Sequence, residues 1–363
     1  MNEEHQQAQQ DHRQPMSVFS CLTMGFETVA RHPGLIIIPT LLDMFLWLGP
    51  HLSFAPLFQI LVQMVQSVGA ESGQDVLALQ LLLNDLATRL NGFVLAGPAP
   101  LMSIPKLLGS MIFKYNFVRG WDQNSFGVPS LLAGLATNGR PIQIRPDLVV
   151  STVLAALGWI IGTLIMGALL NAFYLRSVGR RVNEEGELEL PGTTSTLKLW
   201  GQLLQMMFVF ALALFAMFAL LTILFVVAEM LHEFATRFIL AFVLSMIFFV
   251  GLHLIFVVPG IVQLRRGLLQ AIYESMILVR SDFLSVMMLL LLLFMIARGF
   301  NFVWALPAPN SWNMLVSIVG HAFVSTSLTA ALFIFYQDRL HFLEILSRSL
   351  ATKEAPIHPL AGK

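Results

Sequence analysis

Four polar side chains stand inside otherwise apolar stretches of this sequence: Asp43, Asn171, His253 and His321. An aspartate and two histidines within a membrane bundle could relay a proton or an ion, because each can hold or release charge in a medium that penalises it. Asn171 would add a donor and an acceptor nearer one membrane face. The plainer use of the same residues is interhelical hydrogen bonding, with each histidine neutral and satisfied by a backbone carbonyl. That use ranks first and the relay second. Either way, Asp43 and at least one histidine should face the bundle interior. Two histidines without further context do not make a haem or cofactor site, so no cofactor is expected.

Other chemistry lacks its residue patterns. There is no Gly-rich phosphate loop followed by Lys and Ser or Thr. His232-Glu233 starts like a zinc-protease helix, but the position of its second histidine is Thr236. The Ser and His of Gly320–Thr326 (GHAFVST) do not have nucleophile-elbow spacing. No acidic pair falls within an apolar stretch. Cys21 is the single cysteine, which excludes an intrachain disulfide and an all-cysteine metal site. The expectation is a non-enzymatic chain with no catalytic, cofactor or metal site.

These residues need elements to position them, and composition says which kind. Of 363 residues 56% are hydrophobic and only 12% charged, the net charge is zero, and mean hydropathy is +0.76. Those values exclude a disordered chain, a nucleic-acid binder relying on positive charge, and an ordinary soluble enzyme. They predict an all-α, polytopic integral membrane helical bundle with interfacial amphipathic helices.

A spanning helix needs about 20 mostly apolar residues. Charge-poor runs place six spans, near residues 34–51, 148–175, 199–228, 238–264, 283–303 and 312–337. The paired prolines of Leu306–Trp312 (LPAPNSW) divide the last two. Phe93–Phe113 carries Pro98, Pro100, Pro105 and Lys106 and is rejected as a span. Residues 1–15 and 351–363 read as solvated tails flanking a single membrane domain over 16–350. The start lacks the basic-then-apolar pattern of a signal peptide.

Lys and Arg in short loops set orientation. With a cytoplasmic N-terminus, the inside receives Arg13, Arg31, Arg176, Arg180, Arg181, Lys198, Arg265, Arg266, Arg280, Arg339, Arg348, Lys353 and Lys363. The outside short loops receive only Arg237 and Arg298. Both termini are therefore expected in the cytoplasm, which requires an even number of spans.

Residues 52–146 would form a helical cap on the outer side. Within it Ser53–Val68 and Asp75–Asn91 read as helices and Asn116–Pro146 as loop. Ser177–Thr196 reads as a solvated connection. On the inner side Ser17–Arg31 is amphipathic, with Val18, Phe19, Leu22, Phe26 and Val29 on one face. Gly267–Arg280 is similar, with Leu268, Leu269, Ile272, Met276 and Val279 on one face. Arg31 and Leu35 align with Arg280 and Leu284, a faint internal repeat.

The C-terminal half carries Val258-Pro259-Gly260-Ile261-Val262, Ala271-Ile272-Tyr273-Glu274-Ser275, Leu278-Val279-Arg280, and Phe333-Ile334-Phe335-Tyr336-Gln337-Asp338-Arg339. This layout resembles the membrane domain associated with glycerophosphodiester phosphodiesterases, and related uncharacterised six-span bacterial membrane proteins. The likeness covers residues 236–345, with a looser match at Phe26–Asp43. In that family the phosphodiesterase residues lie in a separate soluble domain, so the resemblance implies the membrane scaffold and not the enzyme. It carries over no functional residue. The expected role is a scaffold, partner subunit or lipid-interacting component of a bacterial inner membrane. Its expected company is membrane lipid, with a protein partner or a second copy as alternatives and no nucleic acid. A transporter or permease component using the intramembrane Asp and His is the second expectation.

Overall fold

The fold is described from a computed structural model covering residues 14–50, 52–68, 80–81, 127–134, 141–142, 148–185, 194–231, 242, 245–246 and 249–354. In chain order the helices are α1 (Val18–Arg31), α2 (Ile37–Leu48), α3 (Ala55–Val68), α4 (Leu131–Gly134), α5 (Val153–Glu185), α6 (Thr196–Leu231), α7 (Val257–Leu264), α8 (Leu268–Ser281), α9 (Phe283–Trp304) and α10 (Met314–Glu354). Two-residue strands β1 (Leu52–Ser53) and β2 (Leu148–Val149) pair in parallel, Leu52 opposite Leu148 and Ser53 opposite Val149. The chain is an all-α multi-pass membrane protein.

Among the described residues, four helices are long and apolar enough to cross a membrane: α5, α6, α9 and α10. A fifth crossing exists if α1 and the segment Pro33–Leu48 act together, although they bend by 91°. The expected span at 34–51 is thus not one straight helix. Pro33 opens a 3-10 turn (Pro33–Ile36), and α2 then runs for 12 residues. Such a helix is about 18 Å long, short of a ~30 Å hydrocarbon core. The expected span at 238–264 lies partly outside the described residues. Its described end, Phe249–Leu264, is short and breaks at Ile255-Phe256 before α7.

Other boundaries move for physical reasons. The span expected from Leu148 begins at Val153, because Leu148-Val149 pairs with β1 and the Thr152 hydroxyl accepts from Ala155 N (3.3 Å). α5 then continues past Arg176 to Glu185, so the first part of the connection expected at 177–196 is helix. A helix under way needs no apolar residues to propagate. α10 likewise runs on past Gln337 to Glu354. The helix expected at 53–68 is α3. The one expected at 75–91 lies outside the described residues except for helical Gln80-Leu81. Phe93–Phe113 also lies outside them. Within the expected loop 116–146, residues 127–132 are buried in the bundle and lead into α4, which makes part of that loop core.

α10 is the inner helix. Its most apolar window is 83% buried, against 11%, 18% and 17% for α5, α6 and α9. The other three leave most of their side chains exposed or half-buried, which in a membrane protein means contact with lipid or a neighbour. α1 lies against α10 at Gly25. A Cβ there would sit 2.6 Å from the Ser327 carbonyl oxygen and 2.7 Å from the Ala331 Cβ. Only glycine allows the two backbones this close.

The repeat suggested by the sequence has a structural counterpart, shifted by one residue. α1 and α8 each run for 14 residues from an extended N-cap, Ser17 (φ −65°, ψ 150°) or Gly267 (φ −69°, ψ 158°). Each ends on a similar kinked residue, His32 (φ −123°, ψ 66°) or Asp282 (φ −136°, ψ 52°), and the next helical segment starts at once. His32 therefore pairs with Asp282, and Arg31 with Ser281, not Arg280. Buried positions coincide too: Val18 with Leu268, Cys21 with Ala271, Gly25 with Ser275, Thr28 with Leu278, and Val29 with Val279. The expected faces are corrected at one shared place. Phe19 and Leu269 point outward, 58% and 82% exposed.

Candidate intramembrane polar site

Asp43 sits on α2 with no solvent exposure. Its carboxylate accepts from the Ser130 hydroxyl (2.5 Å), Leu131 N (2.9 Å) and Leu132 N (3.4 Å). The two N–H groups open the first turn of α4, where a helix has no internal acceptor for them. Three donors on one buried carboxylate are what makes its burial tolerable. One turn along α2, the Trp47 indole N–H donates to the Pro309 carbonyl (2.8 Å), and its ring meets Trp312 edge-on at 5.7 Å. α2 thus ties down two separate connections, residues 130–132 and 309–312. Leu46, Trp47, Leu131, Leu132, Met314 and Ile318 close one apolar cluster there.

His321 lies on α10 and is 2% exposed. Its Nε2 is 3.1 Å from the Ser325 hydroxyl. The next turn carries a hydroxyl seam that sequence reading passed over: Ser325, Thr326, Ser327 and Thr329 are all buried. Ser327 and Thr329 donate back to the carbonyls of Phe323 and Ser325 (2.9 and 3.0 Å), the usual way a hydroxyl hides inside a helix. Tyr174 on α5 reaches across and donates to Thr326 Oγ1 (3.3 Å). Asn171, one turn before Tyr174, is buried on the same helix. The signal in the sequence was the run Ser325-Thr326-Ser327 inside a span.

His253 is 7% exposed and sits just before the break in Phe249–Leu264. Its Nδ1 is 2.8 Å from the Phe249 carbonyl oxygen, and the two rings lie 4.2 Å apart. Its own carbonyl accepts from the Ser275 hydroxyl (2.6 Å), and that hydroxyl accepts from Phe256 N (3.2 Å). Ser275 therefore repairs the hydrogen bonding that the break at Ile255-Phe256 leaves open.

All four singled-out residues are buried, as expected of groups facing a bundle interior. Their hydrogen-bond partners are different: Asp43 serves residues 130–132, His321 joins the α10 seam, and His253 stands at the break beside α8. No three His, Cys, Asp or Glu side chains among the described residues gather to hold a metal ion.

A fifth polar centre was missed. Arg339 on α10 is 4% exposed. Its guanidinium pairs with Asp282 (2.5 Å) and Asp338 (2.8 Å), donates to the Met16 carbonyl (3.1 Å), and lies 4.6 Å over the Phe335 ring. Met16 N donates to Asp338 (2.9 Å). This clasp joins the start of α1, the α8–α9 junction and α10. Beside α1, Glu185 accepts from the Thr28 hydroxyl (2.5 Å) and stands 3.3 Å from His32 Nε2. No protein family, no curated protein and no solved structure matches this chain.

Proposed function

We propose that this protein is a non-enzymatic membrane scaffold, a partner subunit or lipid-interacting component of a bacterial inner membrane with both termini in the cytoplasm. The observation that supports it best is how Asp43 is used. A carboxylate poised for transport or catalysis keeps a free face for its ion or substrate. Asp43 instead engages three donors of its own chain and anchors residues 130–132. Ser275 and the seam hydroxyls are engaged within the bundle in the same way. The outward apolar faces of α5, α6 and α9 give such a protein extensive surface for lipid or a partner helix. Native mass spectrometry of the gently extracted protein tests this. A specific phospholipid or protein retained at fixed stoichiometry is the expected result. A bare chain whose ion or solute flux in liposomes collapses with Asp43→Asn would overturn it.

One observation favours transport as a second reading. The Phe249–Leu264 segment breaks beside buried His253, and broken helices near polar groups are how many transporters build a midplane site. Flux in proteoliposomes lost on His321→Ala or His253→Ala, with the thermal midpoint retained, would promote that reading.

A further inference from the structure

α8 is apolar on two opposite sides. The inner side holds Leu268, Ala271, Ser275, Leu278 and Val279, all buried. The outer side shows Leu269, Tyr273 and Ile277, spaced by four residues and 82%, 66% and 41% exposed. A helix between protein and water does not display such a stripe. The exposure carries across Asp282 onto α9, where Leu284 is 81% exposed and Leu291 and Met295 follow at helical spacing, also exposed. α9 is a span whose outer face meets hydrocarbon, so what covers that face continues onto α8.

The charges fit the same cover. Arg280 is exposed and stands seven residues after Tyr273, on the same stripe. At the other end of α8 Arg265 is exposed, whereas the neighbouring Arg266 is half-buried and paired with Glu274 (3.0 Å). An aliphatic stripe with a tyrosine in its middle and arginines at its ends is the pattern of a helix lying in an anionic lipid surface. α1 supplies an internal contrast. Where α8 has Leu269, Tyr273 and Ile277, α1 has Phe19, Thr23 and Glu27.

We propose that the outer face of α8 lies at the headgroup–acyl boundary of the leaflet at this end of the bundle, with Arg280 paired to anionic phospholipid headgroups. This rests on reading the chain as a lipid-interacting membrane protein.

Nitroxide labels at single cysteines test it, in full-length protein with the buried Cys21 replaced by alanine. The sites are Tyr273→Cys, Leu269→Cys, Thr23→Cys and, as the span reference, Leu291→Cys. The vesicles are phosphatidylethanolamine with phosphatidylglycerol, or phosphatidylcholine alone. Oxygen concentrates in hydrocarbon and a nickel chelate stays in water. Oxygen should relax labels 273, 269 and 291 more than nickel does, and nickel should dominate at 23. The oxygen-to-nickel ratio at 273 should fall when phosphatidylglycerol is omitted, and adding Arg280→Gln should lower it equally in the anionic vesicles. Nickel dominance at 273 with oxygen dominance at 291 would overturn this inference and leave the membrane reading standing. Nickel dominance at 291 would overturn both. A label at 273 and 269 reached by neither reagent would mean protein cover, by a second copy, and would also overturn it. A ratio indifferent to phosphatidylglycerol and to Arg280→Gln would remove the anionic headgroup.

Discussion

α1 and α8 share a length, a pair of cap geometries and a buried pattern, yet they are held in opposite ways. At the shared inner position α1 has Gly25, which lets its backbone press on α10. α8 has Ser275, whose hydroxyl mends the break in Phe249–Leu264. At the shared kink α1 has His32 beside Glu185, with 31% and 23% of the two side chains exposed. α8 has Asp282 on Arg339, with 31% and 5% of the two side chains exposed, and the same Arg339 also holds Asp338, which is 9% exposed. The backbone frame is set by caps and length. The strength of each attachment is set by how dry its polar contact is, since water screens an exposed pair and leaves a buried one at full strength.

The largest effect should therefore come from the α8 attachment. Arg339→Met takes the shared cation from both Asp338, 9% exposed, and Asp282, 31% exposed. Breaking a buried pair from one side costs about 3–5 kcal/mol, and the water that reaches Asp282 places this loss at the lower end. The thermal midpoint in detergent should drop sharply, and trypsin should cleave faster after the already exposed Arg280 as α8 loosens. His32→Gln removes a half-buried partner from a pair that water reaches on both sides and should cost less than about 1 kcal/mol. Equal losses for the two variants would erase the difference drawn here between the junctions.

The second test exchanges the inner residues. Gly25→Ser puts a side chain where even a Cβ would lie only 2.6 Å from the Ser327 carbonyl oxygen. The overpacking should cost about 1–3 kcal/mol. Ser275→Gly leaves the Phe256 N–H and the His253 carbonyl without the hydroxyl, a loss of about 1–3 kcal/mol by a different route. Ser275→Thr, which keeps the hydroxyl, should recover part of it, whereas Gly25→Ala should recover little. Denaturant or thermal unfolding of the four variants separates the routes. A benign Gly25→Ala would show that α1 does not touch α10 as described.

The same two helices mark what the sequence could reveal. Their existence was legible, because apolar residues recur at helical spacing between basic ends. Which face is buried was legible except at one position in each, Phe19 and Leu269, and the second apolar face of α8 was not foreseen. α8 has apolar residues on both sides, and periodicity cannot tell a side packed on protein from a side facing lipid. The long spans α5, α6, α9 and α10 were legible as charge-poor runs. Their true ends were not, since Arg176 to Glu185 continue as helix outside any apolar run. Asp43 was conspicuous as a charge among aliphatics. Its partners at 130–132 were not, because nothing local in a Gly- and Pro-containing stretch announces a contact nearly ninety residues away. Arg339 was hidden for a similar reason: it read as one more basic residue at a span end, while its burial depends on Met16 and Asp282 arriving from distant parts of the chain.

The smallest expected effect bears on the outer face of α1. Glu27 and Arg31 are one helical turn apart and 3.2 Å from contact to contact, with 54% and 65% of their side chains exposed. In water such a pair contributes about 0.3–0.5 kcal/mol and fades with salt, because the charges are solvated whether or not they meet. Glu27→Gln should accordingly shift stability by no more than that, and the shift should vanish in concentrated salt. In a lipid-facing helix the outcome would differ in both respects. The neutral glutamine would relieve the cost of holding a carboxylate away from water, the effect would be several times larger, and salt could not screen it. Thermal unfolding of Glu27→Gln at low and high salt therefore decides whether α1, unlike α8, lies on the water side of the interface.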